Sequence, residues 1–563
     1  MALASLHDMT SDPYTSGGDV SAAVEHRPPP GRWWALVVLA VGLALIVMDG
    51  TIVAVSLPTI IDDLHLDLTD AQWVNSLYSV VLAALLLTSG SLGDRIGRRR
   101  MFILGIVLFV AGSLWAATAG DAAALNSARV LQGVGGACIL PSTLSTVNDM
   151  FRGKDRAAAF GVWGAVISGA AALGPLLGGW LTSTFTWEWI FLVNVPIGAL
   201  LVVAALIAVP ETTSPVKRRG YDIDGLLLSA IGFGALVFAV IEGNTLGWWK
   251  PLSDLNVFGL TWSQEMPISI VPVLLAISLA VLVTFGFWER HRARVRRSAL
   301  LDLNLFFTPT FSWGNVAAMM IAVGEFGLIF VLPLYLINAV GLSTMGAGYV
   351  LAAMAVGAFV SGALARHLAA RLGAAGTVLV GVALEVIGVL VLAFTVHPDS
   401  SPVQISGVLM IYGVGLGFAS AQLTSTVLRD IPAAASGQGS ATQSTVRQVG
   451  AAFGAAVAGS VLSIALAHNL AQVTGPAAQF AEATRTSAGG VIAGLRTRGE
   501  EDIAQTLSGE FSDATQWTLI ATSGFLLLGL LAATVVWWVS RRTPDARTGD
   551  PADDAGHDRI SVE

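Results

Sequence analysis

Four ionisable residues stand among apolar neighbours in this chain: Asp49 in LIVMDGTIV, Arg129 in NSARVLQ, Glu325 in AVGEFGLIF and Glu385 in GVALEVIGV. A charge in hydrocarbon costs roughly 2.5–3.5 kcal/mol on insertion scales, so each needs a chemical reason. A carboxylate such as Asp49 can take up and release a proton. It can equally be a helix cap or a structural hydrogen-bond acceptor. Arginine keeps its proton, so Arg129, the only basic residue deep in a span, can bias a nearby carboxylate, hold an anion or carbonyl, or complete a structural ion pair. Gln132 follows Arg129 on the same helix face, and Thr51 follows Asp49 by two residues. Glu325 and Glu385 suit a lipophilic cation, drawn to the charge and to aromatic walls, for which Phe326 and Tyr335 are candidates. Either could instead be a protonated core residue.

The elements that would position these residues are membrane helices. The 563 residues are 54% hydrophobic and 12% charged, with mean hydropathy +0.71. Apolar runs long enough to cross ~30 Å of hydrocarbon recur throughout. Fourteen spans are expected near 34–57, 72–92, 101–119, 125–148, 157–181, 188–209, 224–242, 267–288, 311–337, 346–365, 376–396, 403–427, 443–467 and 516–539. The first is too long for a signal-peptide core and reads as a retained anchor.

Most of the 30 Lys and Arg fall in alternate loops, with Arg447 grouped among them. By the positive-inside rule that side is cytoplasmic, and both termini lie on it. The expected organisation is a disordered tail 1–32, a six-helix bundle 33–209, an inserted pair 224–288, a second six-helix bundle 311–539 and an acidic disordered tail 540–563. The external loop 468–515 could carry short amphipathic helices. The inserted pair is expected at the periphery. Gly362-Ala-Leu-Ala-Arg-His367 faintly echoes Gly90-Ser-Leu-Gly-Asp-Arg95, which supports a repeat of the bundle.

The stretch GSLGDRIGRRR from Gly90 to Arg100 concentrates charge in one turn. Gly90 permits close helix approach and Leu92 packs there. Asp94 can pair with an arginine or cap a neighbouring helix N-terminus. Gly97 permits the tight turn, and Arg95, Arg98 and Arg99 fix the loop to its face. Such a network could latch two bundles in one conformation and release them in another. Its spacing resembles the signature loop between helices 2 and 3 of the major facilitator superfamily of secondary transporters.

Other stretches refine the resemblance. Asp49-Gly-Thr…Leu57-Pro58 resembles an element of the fourteen-helix drug:proton antiporters. Leu125-x-x-x-Arg129-x-x-Gln132-Gly133-x-Gly135 is similar to the family's helix 4 motif. Gly174-Pro175-Leu-Leu-Gly178-Gly179 is similar to the helix 5 element of exporters, and Trp187-Glu-Trp-Ile-Phe-Leu-Val-Asn-Val-Pro-Ile-Gly198 and Arg447-Gln448-x-Gly450 also fit. The resemblance implies an all-α integral membrane protein of the major facilitator fold, with 14 transmembrane helices arranged 6+2+6 and cytoplasmic termini. It implies export of hydrophobic, in some cases cationic, drugs or antibiotics across the plasma membrane in exchange for protons, by a monomer.

A dedicated exporter of one endogenous metabolite is the alternative, and a polytopic membrane enzyme a more distant one. Against an enzyme, the eight histidines lie in tails, loops or span edges, with no metal-ligand spacing and no nucleophile elbow. No phosphate loop points to ATP, and no cofactor, metal or nucleic-acid partner is expected. The lone Cys138 reads as a small core residue.

Overall fold

The computed structural model describes residues 31–542 apart from 67, 152, 214–219, 221, 258–259, 296, 433–434 and 488. The tails expected to be disordered lie almost wholly outside the described residues. What is described is nearly all helix, because backbone polar groups in hydrocarbon must bond within their own segment. The first half comprises α1 Arg32–Leu64, α2 Leu68–Ile96, α3 Arg98–Ala117, α4 Ala122–Met150 and α5 Gly153–Thr184. Its last crossing is divided into a single turn, α6 Trp189–Leu192, and α7 Asn194–Ala208.

Next come α8 Ile223–Ile241, the turn α9 Gly243–Leu246, an antiparallel hairpin of β1 Leu255–Val257 and β2 Leu260–Trp262, and α10 Ile270–Arg294. The second half holds α11 Pro309–Leu334, which runs into a π-helical turn at Tyr335–Ala339. It continues through α12 Thr344–Thr395, α13 Pro402–Val427 and α14 Ser436–Leu470 to the short α15 Ala481–Thr486 and α16 Gly490–Thr497, and closes with α17 Glu501–Arg542.

Local chemistry sets the boundaries. Asp121 accepts the Ala124 amide at 2.7 Å to start α4, and Ser343 accepts the Gly346 amide at 3.1 Å to start α12. Pro309 and Pro402 occupy first-turn positions where their missing N–H costs nothing. Gly97, at φ 120°, supplies the turn between α2 and α3 that a side chain would resist.

Among the described residues, 12 helices are long and apolar enough to cross a membrane. One of them, α12, has 52 residues, about 78 Å at 1.5 Å per residue, and is broken by non-helical Gly373. It is two arms joined at a turn. The outward faces match a bilayer: Leu200, Val203 and Ile207 of α7 and Leu279 and Phe287 of α10 are all exposed, Ile207 by 82%.

Each half has its own apolar core, one around Leu36, Phe102, Phe109 and Phe160, the other around Val331, Leu332, Leu409 and Leu519. Of the inserted pair, α10 lies at the periphery, with Leu279, Val283 and Phe287 exposed, while α8 packs against both halves. Val237 and Val240 of α8 pack with Ala83 of α2 and Val449, Ala452 and Ala456 of α14. Leu300 and Leu301, just after α10, pack with Leu87 and Ala441. The α8 helix and the segment after α10 therefore lie on the seam between halves, with α10 outside them. The small-residue partners of α8 let backbones approach, which helical-wheel reasoning on α8 alone does not show.

The long loop expected to carry short helices does so. Arg496 of α16 donates to Ala339 O at 2.5 Å and Asn338 O at 3.3 Å, satisfying carbonyls that the π-helical turn leaves open.

Candidate functional site

The charged turn from Gly90 onward lies where the two halves meet, at the end carrying the basic loops. Asp94 accepts Arg98 Nε at 3.0 Å and Nη2 at 2.9 Å, and is also hydrogen-bonded by the Gly437 amide at the start of α14. A carboxylate at a helix N-terminus gains from both the free N–H groups and the macrodipole. Arg98 is buried and reaches Asp149 at 3.1 Å. Arg99 donates its amide to Glu211 at 3.1 Å, and Arg95 donates to Gly220 O at 2.7 Å and to Ser298. A Cβ at Gly90 would collide with Ala441, so the two halves touch through a glycine here. Leu92 is half-buried beside it. Asn148 donates to Ser436 at 2.7 Å and Arg156 to Ser425 O at 3.3 Å, so this end is closed across the seam.

Deep in the first half, one polar network draws on α1, α2, α3, α4 and α7. Arg129 Nη1 lies 2.5 Å from Asp49 Oδ2 and 2.7 Å from Gln132 Oε1. Asp49 Oδ1 accepts Gln132 Nε2 at 3.0 Å and Asn194 Nδ2 at 3.1 Å. Ser113 Oγ accepts from the same two amides at 2.9 and 3.2 Å. Arg129 Nε donates to Val74 O at 3.0 Å, and its guanidinium lies 4.5 Å from the Tyr78 ring centroid. Asp49, Arg129 and Gln132 are buried essentially completely.

The second half has a sparser counterpart. Arg447 Nη2 meets Glu325 Oε2 at 3.1 Å, with Arg447 20% and Glu325 4% exposed. Glu385 is fully buried, and neither of its carboxyl oxygens has a hydrogen-bond partner among the described residues.

Of the expected residues, the structure brings together Asp49, Arg129 and Gln132, and groups Glu325 with Glu385 by charge. It does not bring the others in. Thr51 bonds its own helix at Met48 O (3.0 Å) and lies against Gly174. Gly174 and Gly178 serve the crossing of α1 and α5: a Cβ on Gly178 would lie 2.9 Å from Ile52 O. Gly179 faces Met345 of the other half at 3.9 Å. The Pro175 side chain lies outside the described residues. Phe326 points out from α11 while Glu325 points in. Tyr335 is buried at the far end of that helix, donating to His397 O at 2.6 Å, about 15 Å along the axis from Glu325.

Sequence reasoning missed Arg447, Asn194, Ser113 and Tyr78. Arg447 was grouped with the basic loops, but α14 starts at Ser436, which puts it three turns inside. Arg129 is therefore not the only inward basic residue. The Asn194 signal, an amide in the apolar run WIFLVNVP, was present.

The family model described as Major Facilitator Superfamily matches residues 39–455. The chain belongs to the major facilitator superfamily. Among similar superfamily members, the tetracenomycin C resistance and export protein of Streptomyces glaucescens is 31% identical over 80% of this chain and 80% of its own. The puromycin resistance protein of Streptomyces alboniger is 32% identical, covering 84% and 90%. The multidrug efflux pump LfrA of Mycolicibacterium smegmatis is 30% identical, covering 92% and 98%. The fold of this facilitator also matches a human organic anion transporter with TM-score 0.55 at 14% identity, over 90% of this chain and 100% of that one. It is a multi-pass membrane protein of that fold.

Proposed function

We propose that this facilitator exports hydrophobic drugs or antibiotics across the plasma membrane in exchange for protons, by alternating access between its two halves. The observation that carries the reading is a buried acid–arginine pair in each half, Asp49–Arg129 and Glu325–Arg447. Intramembrane pairs of this kind mark ion and proton pathways. The polar closure at one end, Asp94 on Gly437 and Asn148 on Ser436, gives the halves a contact that can break without exposing a large apolar surface. The names of the relatives support a drug or antibiotic as cargo. Those named for a single antibiotic favour the second reading, a pump dedicated to one metabolite.

In this reading α5 and both arms of α12 each cross, giving fourteen crossings as six, two and six. Both termini are cytoplasmic, and the monomer works without ATP. The bundles are 33–209 and 311–539, with 224–288 beside their seam and α8 against it. Substrate passes between Asp49, Gln132 and Glu325.

The test uses inside-out membrane vesicles, an imposed pH gradient and ethidium as probe. Wild type should accumulate ethidium until a protonophore is added, and Glu325→Gln should not. Accumulation that ignores the protonophore would overturn proton coupling.

A further inference from the structure

Among the buried polar side chains of the second half that have no hydrogen-bond partner among the described residues, one is a carboxylic acid and one a phenol. Glu385, on the second arm of α12, has no partner among the described residues for either oxygen, and neither has the Tyr412 hydroxyl on α13, within range of its charge. Both are essentially inaccessible to solvent. A buried carboxylate without hydrogen bonds, and a buried hydroxyl without one, are each costly. Finding them together makes accidental packing a poor account.

The repeat between halves sharpens the point. A Cβ on Gly105 of α3 would meet Gly135 O at 2.7 Å, and one on Gly381 would meet Gly415 O at the same distance. Gly112 abuts Gln132 and Gly388 abuts Tyr412, each at 2.8 Å. The α3–α4 crossing is therefore rebuilt between α12 and α13. Glu385, four residues after Gly381, occupies the place of Phe109, four after Gly105. Tyr412 occupies the place of Gln132. Since a buried phenyl ring fills the equivalent position, the crossing itself does not require an acid.

Charge decides what the acid does. In the first half one arginine balances one carboxylate. In the second, Glu325 on α11 and Glu385 on α12 share the field of one cation, Arg447 on α14, with the Tyr412 hydroxyl on α13 beside them. One guanidinium can neutralise one carboxylate, so the other must carry a proton to stay buried.

We propose that Glu325 and Glu385 form a one-proton site shared across Arg447, and that an arriving monovalent lipophilic cation takes the place of that proton. The proton leaves to water on the side then open, and the cation is held by the freed carboxylate. Exchange is then one proton for one cation, with no net charge moved. This inference rests on the exporter reading and adds its stoichiometry and substrate charge.

Two measurements test it on the full-length protein. The first needs no substrate: infrared difference spectra of purified protein at neutral pH. Wild type minus Glu385→Gln should show the carbonyl stretch of a protonated carboxylic acid. Wild type minus Glu325→Gln should show the same band, because Arg447 is then free to balance Glu385, which ionises. A band that survives in Glu325→Gln would make Glu385 a merely structural acid and overturn the shared site.

The second uses proteoliposomes and tetraphenylphosphonium. With one proton per cation, a gradient of about one pH unit supports about tenfold accumulation, unaffected by clamping the membrane potential. Glu385→Gln should abolish both that accumulation and the exchange of labelled for unlabelled cation, because Arg447 then neutralises the one remaining carboxylate, Glu325. Measured as the excess over protein-free liposomes, gradient-driven accumulation in Glu385→Gln, or accumulation in wild type that follows the potential, would overturn the stoichiometry. If wild type moves no cation at all, the exporter reading fails for this probe, and the infrared bands still decide the proton site.

Discussion

The two halves of this transporter treat buried charge in opposite ways. In the first, both oxygens of Asp49 have partners: Arg129, Gln132, Asn194 and Ser113 close a loop of hydrogen bonds spanning α1, α3, α4 and α7. In the second, Glu325 has one guanidinium contact, and Glu385 and Tyr412 have no hydrogen-bond partner among the described residues. A fully satisfied network in a low dielectric is rigid, and an unsatisfied one is poised to rearrange. The difference points to a division of labour, with the first half as a pinned body and the second as the half whose protonation can change. The same asymmetry appears at the basic end. Asp94 holds α14, whereas Arg366, at the echoing position of the second half, is exposed.

The largest test of that division is stability. Arg129→Met leaves Asp49 buried with no countercharge, and removing one partner of such a pair costs about 3–5 kcal/mol. Thermal unfolding of the detergent-solubilised protein should report a steep loss, partly recovered in Asp49→Asn/Arg129→Met because the double variant buries no charge. Arg447→Met should cost much less. That site is already reached by water at its arginine, and Glu325 can take a proton. Equal losses from the two arginine substitutions would erase the contrast.

How far this was legible beforehand follows from what sequence signals encode. Apolar runs gave the helices, and the spacing of GSLGDRIGRRR gave a turn whose Asp94 indeed caps a helix and pairs with an arginine, because charge and glycine spacing are local. Asp49, Arg129 and Gln132 were found as rare polar residues in apolar context. Tyr335 and Phe326 were misplaced because an aromatic at a span end can point to core, lipid or cavity, and only packing decides. Arg447 was misread because a helix that starts before its apolar run hides how deep its first charges lie. That α8 of the inserted pair would touch both halves was not legible, because nothing along one chain tells which neighbours its small residues will meet.

The next effect in size concerns the latch. Asp94→Asn keeps the shape but loses the charge that faces Arg98 and the α14 N-terminus, interactions of about 1–2 kcal/mol together. That biases the closed–open equilibrium by about tenfold. Ethidium transport in vesicles should fall by that order while the amount of protein in the membrane stays unchanged. Arg366→Gln, at the degenerate echo, should leave transport as it was. A comparable loss in both would mean that the two loops share one role and that the asymmetry at this end is only sequence drift.

The smallest effect is the most selective, because it compares two tyrosine hydroxyls. Tyr78 donates to Ile46 O at 3.2 Å beneath the Arg129 guanidinium. Tyr412 donates to no group among the described residues. Tyr78→Phe removes a made bond and should destabilise by about 1 kcal/mol. Tyr412→Phe removes an unsatisfied hydroxyl, so it should leave the unfolding temperature equal or higher. If the hydroxyl is kept because Glu385 uses it once its proton has left, the same substitution should slow turnover in spite of the added stability. A variant that is both more stable and less active would place the strain in the working half. Loss of stability in Tyr412→Phe would show that its hydroxyl is already satisfied, and the poised half would lose one of its two unpaired groups.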